Sequence, residues 1–276
     1  MPIELDPFTR VYVKYPHSER KIREMLSRAN KLTNLVEYET VKRGLRKCDV
    51  YHVYPERFDE QIQRVVMDGL VWLPILRSRS YSGFSHRHFP VNKLGPNTFV
   101  YGVVCRSLED AKKFKEAHRE RNTDHVTIGR LLGYPECDIK FFVTVWGNRI
   151  LDPVYEIAVN TETSEVDIND VEGITKYTVR VTGHPYLNQL ARYTSLRIAT
   201  WFPHSYTCKD SIQVADKWFK LMKELDDETA DWILDQLSQP MKWSLLYGVV
   251  EVDTPTLRIV AASYFTDHKK VVLWRT

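Results

Sequence analysis

No stretch of this chain is apolar for long enough to cross a bilayer. The two most apolar windows, residues 70–76 and 245–252, fall far short of the ~20 residues a spanning helix needs, so no membrane partner is expected. The first ten residues carry Glu4 and Asp6 and no apolar run, so a secretory leader is not expected. Cysteine is scarce: Cys48, Cys105, Cys137 and Cys208 are scattered through 276 residues and do not make a disulfide framework. A reduced, soluble, cytoplasmic protein is the expectation. The common nucleotide-binding and hydrolase fingerprints are missing as well, with no P-loop, GxGxxG, HExxH or GxSxG pattern. There is neither an internal repeat nor a low-complexity tract.

What is present is enough apolar material for a core. The chain is 43% hydrophobic and 27% charged, close to the average of globular domains, and its length suits one large domain or two small ones. Charge is uneven. Residues 1–130 hold 24 Lys and Arg against 16 Asp and Glu, whereas residues 131–276 hold 15 against 20. A basic half joined to an acidic half suggests either a polyanionic partner or an unremarkable lysine-rich surface.

Periodicity predicts an α+β fold. Residues 11–14 alternate as a strand. Ser18 can cap a helix over 19–30, with Ile22, Met25, Leu26 and Ala29 on one face. Residues 50–54 read as a strand, and Pro55 opens a helix carrying Phe58, Ile62, Val65 and Val66. Residues 77–95 lack a period and read as a loop. A strand over 98–105 precedes a helix that starts after Ser107 and runs to about 121. Helices are expected over 123–132 (ended by Gly133) and from Pro135 to 142. Residues 162–173 read as an acidic loop, 185–193, 211–225 and 227–237 as helices, and 243–252, 257–265 and 271–275 as a three-strand meander. These elements suggest a basic N-terminal α/β region over 1–80 and an α+β domain over 98–276.

Two segments carry reactive side chains. In Gly133-Tyr134-Pro135-Glu136-Cys137-Asp138, Cys137 falls in the first turn of a helix, where unpaired N–H groups favour a thiolate. In Pro203-His204-Ser205-Tyr206-Thr207-Cys208, an imidazole and a thiol stand four residues apart. Taken singly, each cysteine is better read as a small packed hydrophobe and His204 as a helix cap. Together, over residues 98–225, the segments resemble an uncharacterised archaeal and bacterial family, a domain of unknown function. Its pattern is Leu-Gly-Tyr-Pro-x-Cys-Cys-x-x-Phe, followed by an Asn-x-x-x-Arg helix and Pro-Cys-Ser-x-x-Cys. This chain matches it at Gly133, Tyr134, Pro135, Cys137, Phe141, Asn188, Arg192, Pro203, Ser205 and Cys208, with Arg197 following the helix. Asp138 and His204 stand where the family has cysteine. The resemblance lends no activity.

Both replacements keep a metal-competent side chain, so Cys137, Asp138, His204 and Cys208 are a candidate zinc or iron site. A set of Cys137, His204 and Cys208 leaves a coordination position open, with Asp138 as general base or as a partner orienting His204. The same residues also suit thiol chemistry, with Cys137 as nucleophile and His204 as its base. Asn188, Arg192 and Arg197 are candidate substrate-binding residues, Arg192 by a bidentate grip on a carboxylate or phosphate. The stretch 77–88 interleaves cations, hydroxyls and aromatics, and Arg79, His86 and Arg87 in it are candidates for holding phosphate. Residues 125–142 outline a helix-hairpin-helix that lacks its usual second glycine. The expectation is a metal- or thiol-dependent enzyme modifying a nucleotide or nucleic acid, DNA included. The alternative is a non-catalytic nucleic-acid-binding or interaction protein in which the same residues are structural.

Overall fold

The computed structural model describes residues 3–4, 8–79, 89–118, 123–146, 152–171, 174–262 and 270–271. Its elements in chain order begin with β1 (Ile3–Glu4), β2 (Thr9–Val13), α1 (Glu19–Lys42), β3 (Cys48–Val53), α2 (Phe58–Met67), β4 (Val71–Arg79) and β5 (Thr98–Cys105). The middle holds α3 (Leu108–Ala117), α4 (His125–Leu131), α5 (Glu136–Trp146), α6 (Pro153–Val159), β6 (Glu165–Val171) and β7 (Ile174–Arg180). Then come α7 (Lys209–Leu225), α8 (Asp227–Ser238), β8 (Lys242–Leu246), β9 (Val249–Asp253), β10 (Leu257–Ala262) and β11 (Lys270–Val271). Helices and antiparallel sheets make this an α+β fold, with an antiparallel meander near the C-terminus. Among the described residues, no helix is long and apolar enough to cross a membrane. Two compact units emerge: described residues within 3–33 and 144–271 form the first, and those within 34–79 and 89–143 the second.

The second unit is built on a three-stranded sheet in the order β3-β5-β4. Both outer strands run antiparallel to β5, so β3, α2 and β4 form a βαβ unit with β5 inserted between its strands. Every residue of β5 is buried, as a run of β-branched and aromatic side chains between two covered faces requires. The two-residue period splits those side chains. Val103 and Cys105 join Cys48, Ala111, Phe114, Leu131 and Leu132 in one cluster, while Val104 packs with Tyr38, Val41, Val65 and Leu70 in another. Ser107 accepts a hydrogen bond from the Asp110 N–H and caps α3 as its position predicts.

The register corrects the reading of the cysteines. Cys48 lies directly opposite Cys105, with Cα atoms 4.3 Å apart, and the two form a disulfide, in which Cys137 and Cys208 take no part. The expected loop over 77–95 also gives way at its start. Strand β4 continues through Arg77, Ser78 and Arg79, paired with Val100, Phe99 and Thr98, because the alternating residues find a partner edge. His86 and Arg87 lie outside the described residues.

The first unit carries a six-stranded antiparallel sheet in the order β2-β10-β9-β8-β7-β6. The expected single strand over 243–252 is a hairpin, β8 and β9, turning at Tyr247 (φ +50°) and Gly248 (φ +72°). Two successive left-handed residues define the two-residue turn that matches strand twist. The expected acidic loop over 162–173 is largely strand β6, which pairs along β7 and leaves Ile168 exposed at the sheet edge. The expected helix over 185–193 is only two 3₁₀ turns, 185–187 and 192–194. Leu187, Leu190 and Ala191 are fully buried there, and their apolar spacing reflects burial on several sides rather than one helical face. Helix α1 runs twelve residues past the expected end at 30 because nothing up to Lys42 breaks it.

Trp243, wholly buried on β8, donates to the Tyr193 hydroxyl at 3.3 Å, and that hydroxyl donates to the Asp152 carboxylate. Asp152 in turn caps α6 by accepting from the Val154 N–H at 2.9 Å. Trp243→Ala is expected to cost about 3–5 kcal/mol in chemical denaturation, against about 1–3 kcal/mol for Tyr193→Phe, which removes only the hydroxyl link. Equal losses in the two variants would contradict the cavity as the larger cause.

Candidate metal centre

The turn before α5 is shaped by two residues that the sequence singles out. Gly133 sits in the left-handed region at φ +74° and terminates α4, and the Tyr134 N–H then reaches back to the Gly129 carbonyl at 3.0 Å. Pro135 opens α5, its carbonyl accepting from the N–H groups of Asp138 and Ile139. Helices α4 and α5 approach closely because position 129 lacks a side chain: a Cβ there would stand 2.7 Å from Cγ1 of Ile139. This anchors the first turn of α5, where Cys137 is half-buried and Asp138 is only 2% exposed. The Cys137 Sγ lies 3.8 Å from Asp138 Oδ1.

The second segment is pinned by its main chain. The Asn160 side chain donates to the His204 carbonyl at 2.7 Å, and Thr161 Oγ1 accepts from the Tyr206 N–H at 3.0 Å. The His184 N–H donates to the Tyr206 carbonyl at 2.9 Å. Gly183 leaves room for this strap, since a Cβ there would meet Tyr206 Cβ at 2.6 Å. Tyr206 itself is wholly buried, with its hydroxyl on the Val154 carbonyl at 3.3 Å. Burial holds that phenol well above the usual tyrosine range. Cys208 occupies the N-cap position of α7 in extended backbone conformation. His204 and Cys208 therefore sit at the two ends of one fixed loop.

One ligand atom from each of Cys137, Asp138, His204 and Cys208 lies within 4.8 Å of all the others. Two sulfurs, one imidazole nitrogen and one carboxylate oxygen at that separation can hold a single metal ion, since ligands on a tetrahedral ion stand about 3.3–4 Å apart given bonds of ~2.0–2.3 Å. The four residues selected from the sequence are thus brought together.

The candidate substrate-binding residues fare differently. Asn188 is buried, its amide donating to the Leu237 carbonyl at 2.9 Å and its oxygen accepting from the Leu190 N–H at 3.0 Å. Its side chain ties the chain to the end of α8. Arg192 is also buried, donating to Gln189 Oε1 at 2.8 Å and lying 3.9 Å over the Phe202 ring. Arg197 is half-buried. Arg79 lies over the Phe89 ring at 4.7 Å. Asn160, Thr161 and Gly183, which position His204 and the strap, escape sequence reasoning. The hydrogen bonds of Asn160 and Thr161 go to main-chain atoms 44 and 45 residues away, and Gly183 acts only by leaving room for Tyr206, so no local pattern announces them. No family model, curated protein or solved structure matches this chain.

Proposed function

We propose that Cys137, His204 and Cys208 bind a zinc or iron ion and that the protein is an enzyme using that ion on an anionic substrate, a nucleotide or nucleic acid. The observation that carries this reading is the convergence of four ligand atoms within 4.8 Å from two segments more than 60 residues apart. The donor set supports zinc or iron over magnesium or calcium, which take oxygen ligands. With three protein ligands an ion keeps one position open and supplies a Lewis acid for substrate or water. Asp138, adjacent in sequence to Cys137, is better placed as the base beside the open position, or as the group orienting His204, than as a fourth ligand. The resemblance of the two segments to a Cys-Cys and Pro-Cys-Ser-x-x-Cys family fits the same assignment. Modification of DNA belongs to this proposal, on the strength of the basic N-terminal half.

Metal analysis of protein purified without a histidine tag tests the reading. About one zinc or iron per chain is expected, with near-complete loss in both Cys137→Ser and Cys208→Ser. Metal-free protein from an anaerobic, chelator-free preparation would overturn it. In that event Cys137 with His204 as base becomes the working assignment, and alkylation of Cys137 is the measurement to make next.

A further inference from the structure

A second cluster of chemistry lies wholly within the second unit. Gly44, Leu45, Arg46, Lys47, Arg106, Asp110, Arg130 and Gly133 line an open recess of about 450 Å³. Four of these side chains are cationic and one is acidic. They come from four parts of the chain: the turn after α1, the residue after β5, the first turn of α3, and the end of α4 with the turn after it.

The fold assembles them deliberately. Lys47 immediately precedes Cys48 and Arg106 immediately follows Cys105, so the cross-strand cysteine pair fastens the two cation-bearing segments side by side. The Arg106 N–H donates to the Lys47 carbonyl at 3.4 Å and continues the ladder. Both glycines of the recess are left-handed, at φ +73° and +74°. A Cβ at Gly44 would collide with the Arg106 guanidinium, and one at Gly133 would stand 2.9 Å from the Arg46 Cβ. Glycine at these positions therefore lets Arg106 lie across the backbone and lets Arg46 pack beneath the α4–α5 turn.

Charge inside the recess is only partly neutralised. Arg46 is buried and paired with Asp49 at 2.7 Å, and Arg130 is held by Glu136 at 2.6 Å. Lys47 is 65% exposed, and its nearest carboxylate is Asp110, 3.6 Å away. Arg106 is exposed and has no carboxylate partner among the described residues. Lys47, Arg106 and Arg130 thus converge on a small open volume, with Asp110 near Lys47 and Glu136 on Arg130 as their acids. Holding like charges together costs free energy that an oxyanion recovers.

The geometry points to a phosphate-binding recess in which Arg106 and Lys47, with Arg130 at its rim, hold the phosphate oxygens of a nucleotide or of a nucleic-acid backbone. Charge-assisted N–H donors to phosphate are the strong form of this contact. The recess goes beyond the metal reading and does not depend on it.

Binding of two probes tests it: inorganic pyrophosphate by calorimetry, and a fluorescein-labelled single-stranded oligonucleotide by anisotropy. One of the two is expected to bind the full chain, and Arg106→Gln and Lys47→Gln are each expected to weaken that binding about tenfold. For the oligonucleotide, each variant should also reduce the slope of log K against log salt by about one. Pyrophosphate binding alone identifies a small phosphorylated ligand, and oligonucleotide binding identifies a phosphodiester backbone. Both substitutions are at exposed positions, and matching thermal melts check that they fold. Failure of both probes to bind at concentrations on the order of 1 mM overturns the proposal. So does binding that neither variant changes, or binding that disappears in Cys208→Ser while surviving in Arg106→Gln. Because Cys208→Ser is expected to lose metal and keep phosphate binding, failure of this proposal is distinct from failure of the metal reading.

Discussion

Stripping the proposed ion with a chelator is expected to lower the melting temperature by about 10 °C. A ligand held only by the native state stabilises it by about 4 kcal/mol when its free concentration is a thousand times its dissociation constant. One kcal/mol corresponds to roughly 2–4 °C in chains of this size. The gain should return on adding zinc or iron and should be absent in Cys208→Ser, whose melting temperature is then indifferent to the chelator. Scanning calorimetry with and without chelator measures it. A wild-type melt unmoved by chelator, in protein shown to have carried metal, would mean that the ion does not bind the folded state preferentially. The centre would then not be the one formed by Cys137, His204 and Cys208.

The second large effect lies at Arg46 and Asp49. Their side chains are 1% and 7% exposed, and the guanidinium stands 2.7 Å from the carboxylate while also donating to the Glu37 carbonyl at 2.7 Å. Removing one member of a buried pair strands the other charge at a cost of about 3–5 kcal/mol, whereas replacing both by apolar residues of similar volume is often neutral. Arg46→Met and Asp49→Leu are each expected to lose that much at pH 8, and the double variant to recover most of it. A double variant as unstable as the sum of its parents would refute the pair as the cause.

The pH of that measurement matters. Burial pushes the Asp49 carboxyl up, to about 7, against the pull of Arg46. The native carboxyl therefore holds its proton to a higher pH than the unfolded one, which titrates near ~3.9. The contribution of this group to stability is then greatest below about pH 4 and declines as the pH rises to about 7. Wild-type stability should fall across that window by more than it does in Asp49→Leu.

The parts of the fold legible in the sequence are those written locally. Ser107 before Glu109 and Asp110, Gly133 followed by Pro135, and the unbroken β-former run of β5 announce a cap, a helix break and a buried strand, and each is found where its chemistry places it. What stays hidden depends on partners distant in sequence. Strand β6 reads as a polar loop because Glu165, Asp167 and Asp170 face solvent at a sheet edge, and only β7 makes it a strand. Cys48 and Cys105 are 57 residues apart, and nothing but strand register brings them opposite each other.

The candidate centre follows the same rule. Cys137 and Asp138, and likewise His204 and Cys208, stand close together in sequence, so each half of the cluster can be seen as a motif. Asn188 ties off a main-chain carbonyl, a role that its side-chain chemistry does not distinguish in the sequence from holding a ligand. The recess lined by Lys47, Arg106 and Arg130 is invisible in sequence for the opposite reason: its cations are ordinary surface residues until the fold collects them.

The order of the six-stranded sheet has a consequence for how the protein is made. Strand β2 forms its ladder with β10, joining residues 9–13 to residues 257–261. A nascent chain emerging from the ribosome cannot complete this sheet until residue 261 has been synthesised, and such distant pairings form slowly. Until then β2 waits with its hydrogen-bonding edge open, as does β9, which also needs β10. Open edges are where partly synthesised chains aggregate. Chains stopped before residue 257 should therefore depend on chaperones during synthesis far more than the finished protein does.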